Sequence, residues 1–170
     1  MHGRLSRLGA LAALISLSLS CGYTASTTLP GHIKNVAIPV FRNETLEYRI
    51  EEEITSAVID KFVADNRLTV VGEKEAASVL LGTVKQYVRR VFSYSAGEVA
   101  QEYEVTIKVA VEFKDVSKGR VIWKDDSLVS TARYFAVDMA GHEAQTEQKG
   151  RTPAIDFLAG DILTRTVEGW

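Results

Sequence analysis

Val99-Ala100-Gln101-Glu102-Tyr103-Glu104-Val105-Thr106-Ile107-Lys108-Val109-Ala110-Val111-Glu112-Phe113-Lys114 alternates with a period of two. Val99, Tyr103, Val105, Ile107, Val109, Val111 and Phe113 fall in one set; Glu102, Glu104, Thr106, Lys108, Glu112 and Lys114 fall in the other. Successive side chains of a strand point to opposite faces, so the stretch reads as a long strand with one buried and one wet face. Upstream, residues 79–93 repeat the pattern, with Leu80, Val84, Val88 and Phe92 on one face and Thr83, Lys85, Tyr87 and Arg89 on the other. Residues 94–97 form the intervening turn, where Gly97 can supply the positive φ of a tight hairpin. Downstream, a turn over 115–119 leads to a third long strand over 120–133 that carries Ile122, Trp123, Leu128 and Val129. The three strands make an antiparallel meander.

Before the meander the period changes to that of a helix. Leu46, Ile50, Ile54, Ala57, Val58 and Phe62 recur at steps of three and four, on one helical face. Asn43 or Thr45 is placed to cap this helix, and Asn66, which tolerates a left-handed backbone, to end it near Asp65. Short apolar runs on either side, Val36-Ala37-Ile38-Pro39-Val40-Phe41 and Leu68-Thr69-Val70-Val71, read as strands. Pro39 has no N–H, so it belongs at a sheet edge or strand end. At the other end of the chain Ile155, Leu158, Ala159 and Ile162 give a second helix; Pro153 either opens it or interrupts a longer one starting near His142. The fold class is α+β: a two-layer sandwich with two amphipathic helices packed on one face of a mostly antiparallel sheet.

The chain begins with Arg4 and Arg7, an apolar run over 8–19 and the small residue Ser20, which is the layout of a secretory signal. The run is shorter than the roughly 20 apolar residues a membrane span needs. The expected organisation is a signal peptide over 1–20, a tether over 21–32 and one sandwich domain over 33–170. Cys21, the single cysteine, stands directly after the cut and has no intramolecular partner. Subtracting Arg4 and Arg7 from the 20 basic residues leaves 18 against 22 acids, a net charge of −4. A balance on the acidic side argues against general nucleic-acid binding.

Little in the chain points to catalysis. His2, His32 and His142 lack metal-ligand spacing, and no phosphate loop, dinucleotide fingerprint or serine elbow occurs, so neither an enzyme nor a bound cofactor is expected. Glu51, Glu52 and Glu53 are consecutive on a helix and do not converge. The candidate ligand residues are Lys85, Arg89 and Arg90, with Lys108, Lys114, Arg120 and Lys124 on neighbouring strands. Lys85 and Arg89, beside Tyr87, suit a phosphorylated amphiphile, because guanidinium groups grip phosphate in bidentate fashion. The competing reading is a mixed-charge solvated sheet, since Glu102, Glu104 and Glu112 share a face with Lys108 and Lys114.

Taken in order, Cys21-Gly22-Tyr23, Leu29-Pro30-Gly31, residues 33–45, Leu80-Leu81-Gly82-Thr83-Val84 and Gly119-Arg120-Val121-Ile122-Trp123 resemble the LptE lipoproteins of lipopolysaccharide assembly. The resemblance implies an acylated Cys21 anchored in the outer membrane and a plug inside an LptD-type outer-membrane β-barrel. It also implies lipopolysaccharide as ligand, with Lys85, Arg89 and Arg90 as the residues toward its phosphates. Residues 36–45 are also similar to the opening of CsgG- or TolB-like envelope lipoproteins, which implies the alternative of a secretion-pore or scaffold component.

Overall fold

The computed structural model describes residues 29–139 and 141–168. The expected signal peptide, Cys21 and the expected tether up to Thr28 lie outside the described residues. The strands are β1 Asn35–Ala37, β2 Arg42–Asn43, β3 Thr69–Val70, β4 Ser78–Tyr94, β5 Ala100–Asp115 and β6 Arg120–Phe135. Two helices accompany them, α1 Ile50–Asp65 and α2 Glu147–Val167. In the sheet the order is β3-β1-β4-β5-β6, with β2 also paired to β4. β4, β5 and β6 form the expected antiparallel meander, whereas β1, β2 and β3 pair in parallel.

Both helices cover the same face of the sheet. Leu80, Val84, Val105, Ile107, Val109, Val111 and Phe113 meet Ile50, Ile54, Val58 and Phe62 of α1 and Ala154, Leu158, Ala159 and Ile162 of α2 in one buried cluster. Each large side chain withdrawn from water there contributes about 1.5–3 kcal/mol. Two glycines permit close approach. A Cβ on Gly82 would lie 2.2 Å from the Phe41 ring, and one on Gly150 would lie 2.2 Å from the Tyr134 ring.

Several local expectations change. The run over 36–41 is not one strand: only Val36 and Ala37 belong to β1, and residues 38–41, with Pro39 among them, form the connection to β2, outside any ladder. Asn43 and Thr45 do not cap α1. Asn43 Oδ1 accepts from the Thr45 amide and hydroxyl at 2.8 and 2.7 Å, and its Nδ2 donates to the Glu47 carbonyl and the Glu51 carboxylate at 2.8 Å. This polar knot delays the helix until Ile50, after Arg49 in a left-handed conformation, and leaves Leu46 fully exposed. The other end is as read: Asn66 has φ 60° and donates its N–H to the Phe62 carbonyl. In the β4–β5 turn the positive φ falls on Glu98, not on Gly97. α2 starts at Glu147, with Thr146 Oγ1 accepting from the Lys149 amide, so Pro153 lies inside the helix, near its second turn.

The largest correction concerns β4. A bulge between Val84 and Gln86 reverses its alternation. Leu80 and Val84 face the helices, but Tyr87 and Arg89 then take that side, opposite Ile107 and Val105, while Val88 and Phe92 turn to the uncovered face.

Candidate ligand-binding face

The face turned away from the helices is open along the whole meander. Near the β4–β5 hairpin, pairing sets Arg90 opposite Glu104 and Glu104 opposite Arg133. Glu104 is buried, although it lies on the uncovered side, because two guanidinium groups roof it. Arg90 Nε donates to Oε1 at 2.8 Å and Arg133 Nε to Oε2 at 2.9 Å. The Arg133 guanidinium also sits 3.3 Å from the Phe92 ring centroid, a cation–π contact. Arg133 and Arg90 together hold the Glu104 carboxyl below the usual carboxylate range. The anion neutralises one of the two cations and fixes the planes of both. The Arg90 side chain remains 68% exposed and that of Arg133 48%.

Below this trio the next row is Val88, Thr106 and Thr131, and the next is Gln86, Lys108 and Val129. Among the described residues Lys108 is in no ion pair. It stands four positions along β5 from Glu104, about 13 Å at the strand rise. The face therefore presents two guanidiniums, a further ammonium and the apolar surfaces of Phe92, Val88 and Val129.

The three cations singled out in the sequence are not neighbours. Lys85 sits in the bulge, donates to both carboxylate oxygens of Glu44 at 2.8 and 2.9 Å, and lines a depression of about 540 Å³ with Arg42, Lys114, Lys124 and Glu112. Arg89 lies on the helix side, paired with Glu147 of α2 and 4.9 Å over the Tyr103 ring. Tyr87, expected outside, donates to Glu147 at 2.8 Å. Only Arg90 reaches the open face near the hairpin. Arg120 lies near Asp115, and Lys114 and Lys124 pair with Glu112 and Asp126. Arg133 and Phe92 are the residues that sequence reading missed as ligand candidates. Their placement depends on the bulge and on the β5–β6 register, neither of which leaves a mark in a single strand's pattern.

A second buried network holds the helix layer. Arg151 of α2 reaches Glu53 with Nε at 2.9 Å, also pairs with Glu47, and lies over the Tyr87 ring. At the opposite end of the sheet from the β4–β5 hairpin, His32 donates to Asp115 at 2.8 Å; Asp115 is fully buried and also accepts from the Ser117 hydroxyl and the Lys118 amide. Among the described residues no group of metal-ligating side chains occurs, and no helix is long and apolar enough to cross a membrane.

Comparison with known proteins places this architecture. The PelC dodecamer from Paraburkholderia phytofirmans is similar over 85% of this chain and 95% of its own, with a TM-score of 0.52 and 17% identity. Protein XCC0632 from Xanthomonas campestris matches over 83% and 90%, at 0.53 and 14%. Uncharacterized lipoprotein B from Nitrosomonas europaea matches over 82% and 88%, at 0.52 and 15%. These likenesses show a shared fold. No curated protein matches the sequence. The family model described as LptE, lipopolysaccharide-assembly, matches residues 33–166, so the chain, with its helix-backed sheet and open cationic face, belongs to the LptE family.

Proposed function

We propose that the chain is a lipoprotein of the outer membrane, held there by acyl chains on Cys21, that plugs an LptD-type β-barrel and binds lipopolysaccharide on its way to the outer leaflet. The observation that carries the ligand part is the Arg90–Glu104–Arg133 trio on the uncovered sheet face. Two exposed guanidinium groups already oriented by one buried carboxylate offer bidentate donors to a phosphate, and Lys108 offers a second cationic point. Val88, Phe92 and Val129 supply apolar contact for the acyl or sugar part of an amphiphile. The role is binding and positioning. A sandwich whose free face mixes charged, hydroxyl and apolar groups also suits the lumen of a large barrel, whose inward side chains are polar.

The test is direct binding of purified lipopolysaccharide. Arg90→Ala with Arg133→Ala removes charge-assisted hydrogen bonds and is expected to weaken affinity roughly tenfold or more. Lys85→Ala, in the bulge, is expected to have the smaller effect. Wild-type affinity in the double variant would refute the assignment of this face. Detergent extraction tests the partner: one large barrel in stoichiometric amount supports the plug, whereas a ring of identical subunits supports the pore alternative. Mass spectrometry of the amino terminus tests acylation of Cys21.

A further inference from the structure

The Arg90–Glu104–Arg133 trio and Lys108 stand on the same open face with a single row of the sheet between them. Two guanidiniums and one carboxylate leave the trio with one net positive charge. Arg90 turns Nε and Nη2, and Arg133 turns Nε, to Glu104, and a guanidinium has five N–H donors, so both keep donors for a ligand. Lys108, which has no ion pair among the described residues, lies about 13 Å away along β5. The row between is Val88, Thr106 and Thr131, without charge, and its two threonine hydroxyls are 3.3 Å apart. Val88 is 37% exposed on the β4 side of the strip, and Val129, on the β6 side, is 57% exposed. Beyond Lys108 the next acid on this face of β5 is Glu112, four positions farther on and bonded to Lys114 at 3.0 Å. The strip thus reads cation, hydroxyl pair, cation, with apolar surface along both flanks.

We propose that this strip takes a disaccharide headgroup phosphorylated at both ends. One phosphate lies between Arg90 and Arg133, the other lies at Lys108, and the sugar hydroxyls between them meet Thr106 and Thr131. Two linked pyranose rings with a terminal phosphate at each end span a distance of this size; one ring does not. The planar guanidiniums fix the first phosphate, and the ammonium, a point charge on a flexible stem, follows the second along the strand. The assignment rests on the lipopolysaccharide reading of the open face and specifies which part of the amphiphile is recognised there. Charge separates this occupant from a long polyanion. The chain carries a net charge of −2, so a polymer running past the strip meets repulsion, whereas a short headgroup meets the two cationic points alone.

The experiment titrates the full, isotope-labelled chain with four water-soluble headgroups: a disaccharide phosphorylated at both ends, the two disaccharides phosphorylated at one end, and a single hexose carrying two phosphates. Saturable shifts in the amide signals of Arg90, Glu104, Thr106, Lys108 and Arg133 are expected. The doubly phosphorylated disaccharide should bind about fivefold or more tighter than each of the others. Lys108→Ala should bring its affinity down to that of one singly phosphorylated form and leave that form's affinity unchanged, and Lys108→Arg should restore the difference. Thr106→Val with Thr131→Val should weaken all three disaccharides by the same factor. Unshifted amide signals from the helix layer report that each variant is folded. A preference for two phosphates that survives Lys108→Ala would overturn the proposal, as would equal binding of the hexose, which has the charge without the length. The double variant Arg90→Ala with Arg133→Ala separates the two levels. If it leaves lipopolysaccharide binding unchanged, the ligand reading of the face falls and the proposal with it; if it weakens binding while Lys108→Ala changes nothing, the two-point spacing alone falls.

Discussion

Two glycines on α2 should respond to the same substitution with opposite sign. Alanine in a helix interior is favoured over glycine by about 0.8–1.0 kcal/mol, so propensity alone makes either replacement stabilising. At Gly160 nothing lies within 4 Å of an added Cβ, and Gly160→Ala should gain most of that amount. At Gly150 the Cβ would meet two atoms of the Tyr134 ring at 2.2 and 2.4 Å and the Tyr134 Cβ at 2.6 Å, well inside contact distance. Tyr134 is itself buried and its ring lies 5.7 Å from that of Tyr103, so it has little room to move. Overpacking a filled core costs about 1–3 kcal/mol, which exceeds the propensity gain and leaves a net loss of about 0–2 kcal/mol. For a domain of this size each kcal/mol moves the melting temperature by about 2–4 °C. Calorimetric melts of the two single variants should therefore shift in opposite directions. In a Tyr134→Ala background the ring is gone but the Cβ at 2.6 Å remains, so the cost of Gly150→Ala should shrink; in a Tyr134→Gly background, which removes all three atoms, Gly150→Ala should become stabilising. If both glycine variants move the same way in the wild-type background, the helix is not set on β6 by this contact and the reasoning fails.

The Ser117 hydroxyl and Lys118 amide, with His32, hold the Asp115 carboxyl down to about 2. A lowered carboxyl contributes stability above its unfolded value, near 3.9, and loses it as pH falls toward the folded value. Thermal melts should accordingly drop between about pH 4 and 2, and Asp115→Asn should flatten that part of the profile while lowering stability at neutral pH. Burial opposes the charge of Arg151, but Glu53, Tyr87 and Glu47 outweigh it and strengthen its protonation. Arg151→Met strands both carboxylates, which keep partial access to water, so denaturant titration should show a loss of about 1–3 kcal/mol, below the cost for a fully buried pair. Asn66→Ala puts a Cβ-bearing residue without a helpful side chain into the left-handed region and should cost about 1 kcal/mol, whereas Asn66→Gly should be close to neutral on the same titration.

The sequence carries most of the architecture because the meander announces itself through a strict period of two, and a one-residue slip in β5 would turn Val105, Ile107 and Val109 to water. The helix that ends at Asn66 is legible for a similar reason: its stripe and its stop signal are both local. What escapes reading depends on long-range pairing. The bulge at Lys85 adds one residue, and nothing in 79–93 marks it, yet it sends Arg89 to the helices and Phe92 to the free face. Glu104 reads as one more solvated acid until the register places Arg90 and Arg133 on either side of it. The knot around Asn43 defeats the cap expectation because the same side chain satisfies the turn first.

The His32–Asp115 bond also decides how the domain would bear a pull on its leading end. Without it, tension would run into β1, three residues long, and unzip it rung by rung. With it, part of the load passes directly into the end of β5, the strand flanked on both sides by long ladders. Drawn along its own axis, such a strand resists in shear, with many rungs sharing the strain at once, so this small clasp acts as a mooring point for whatever restrains the front of the chain.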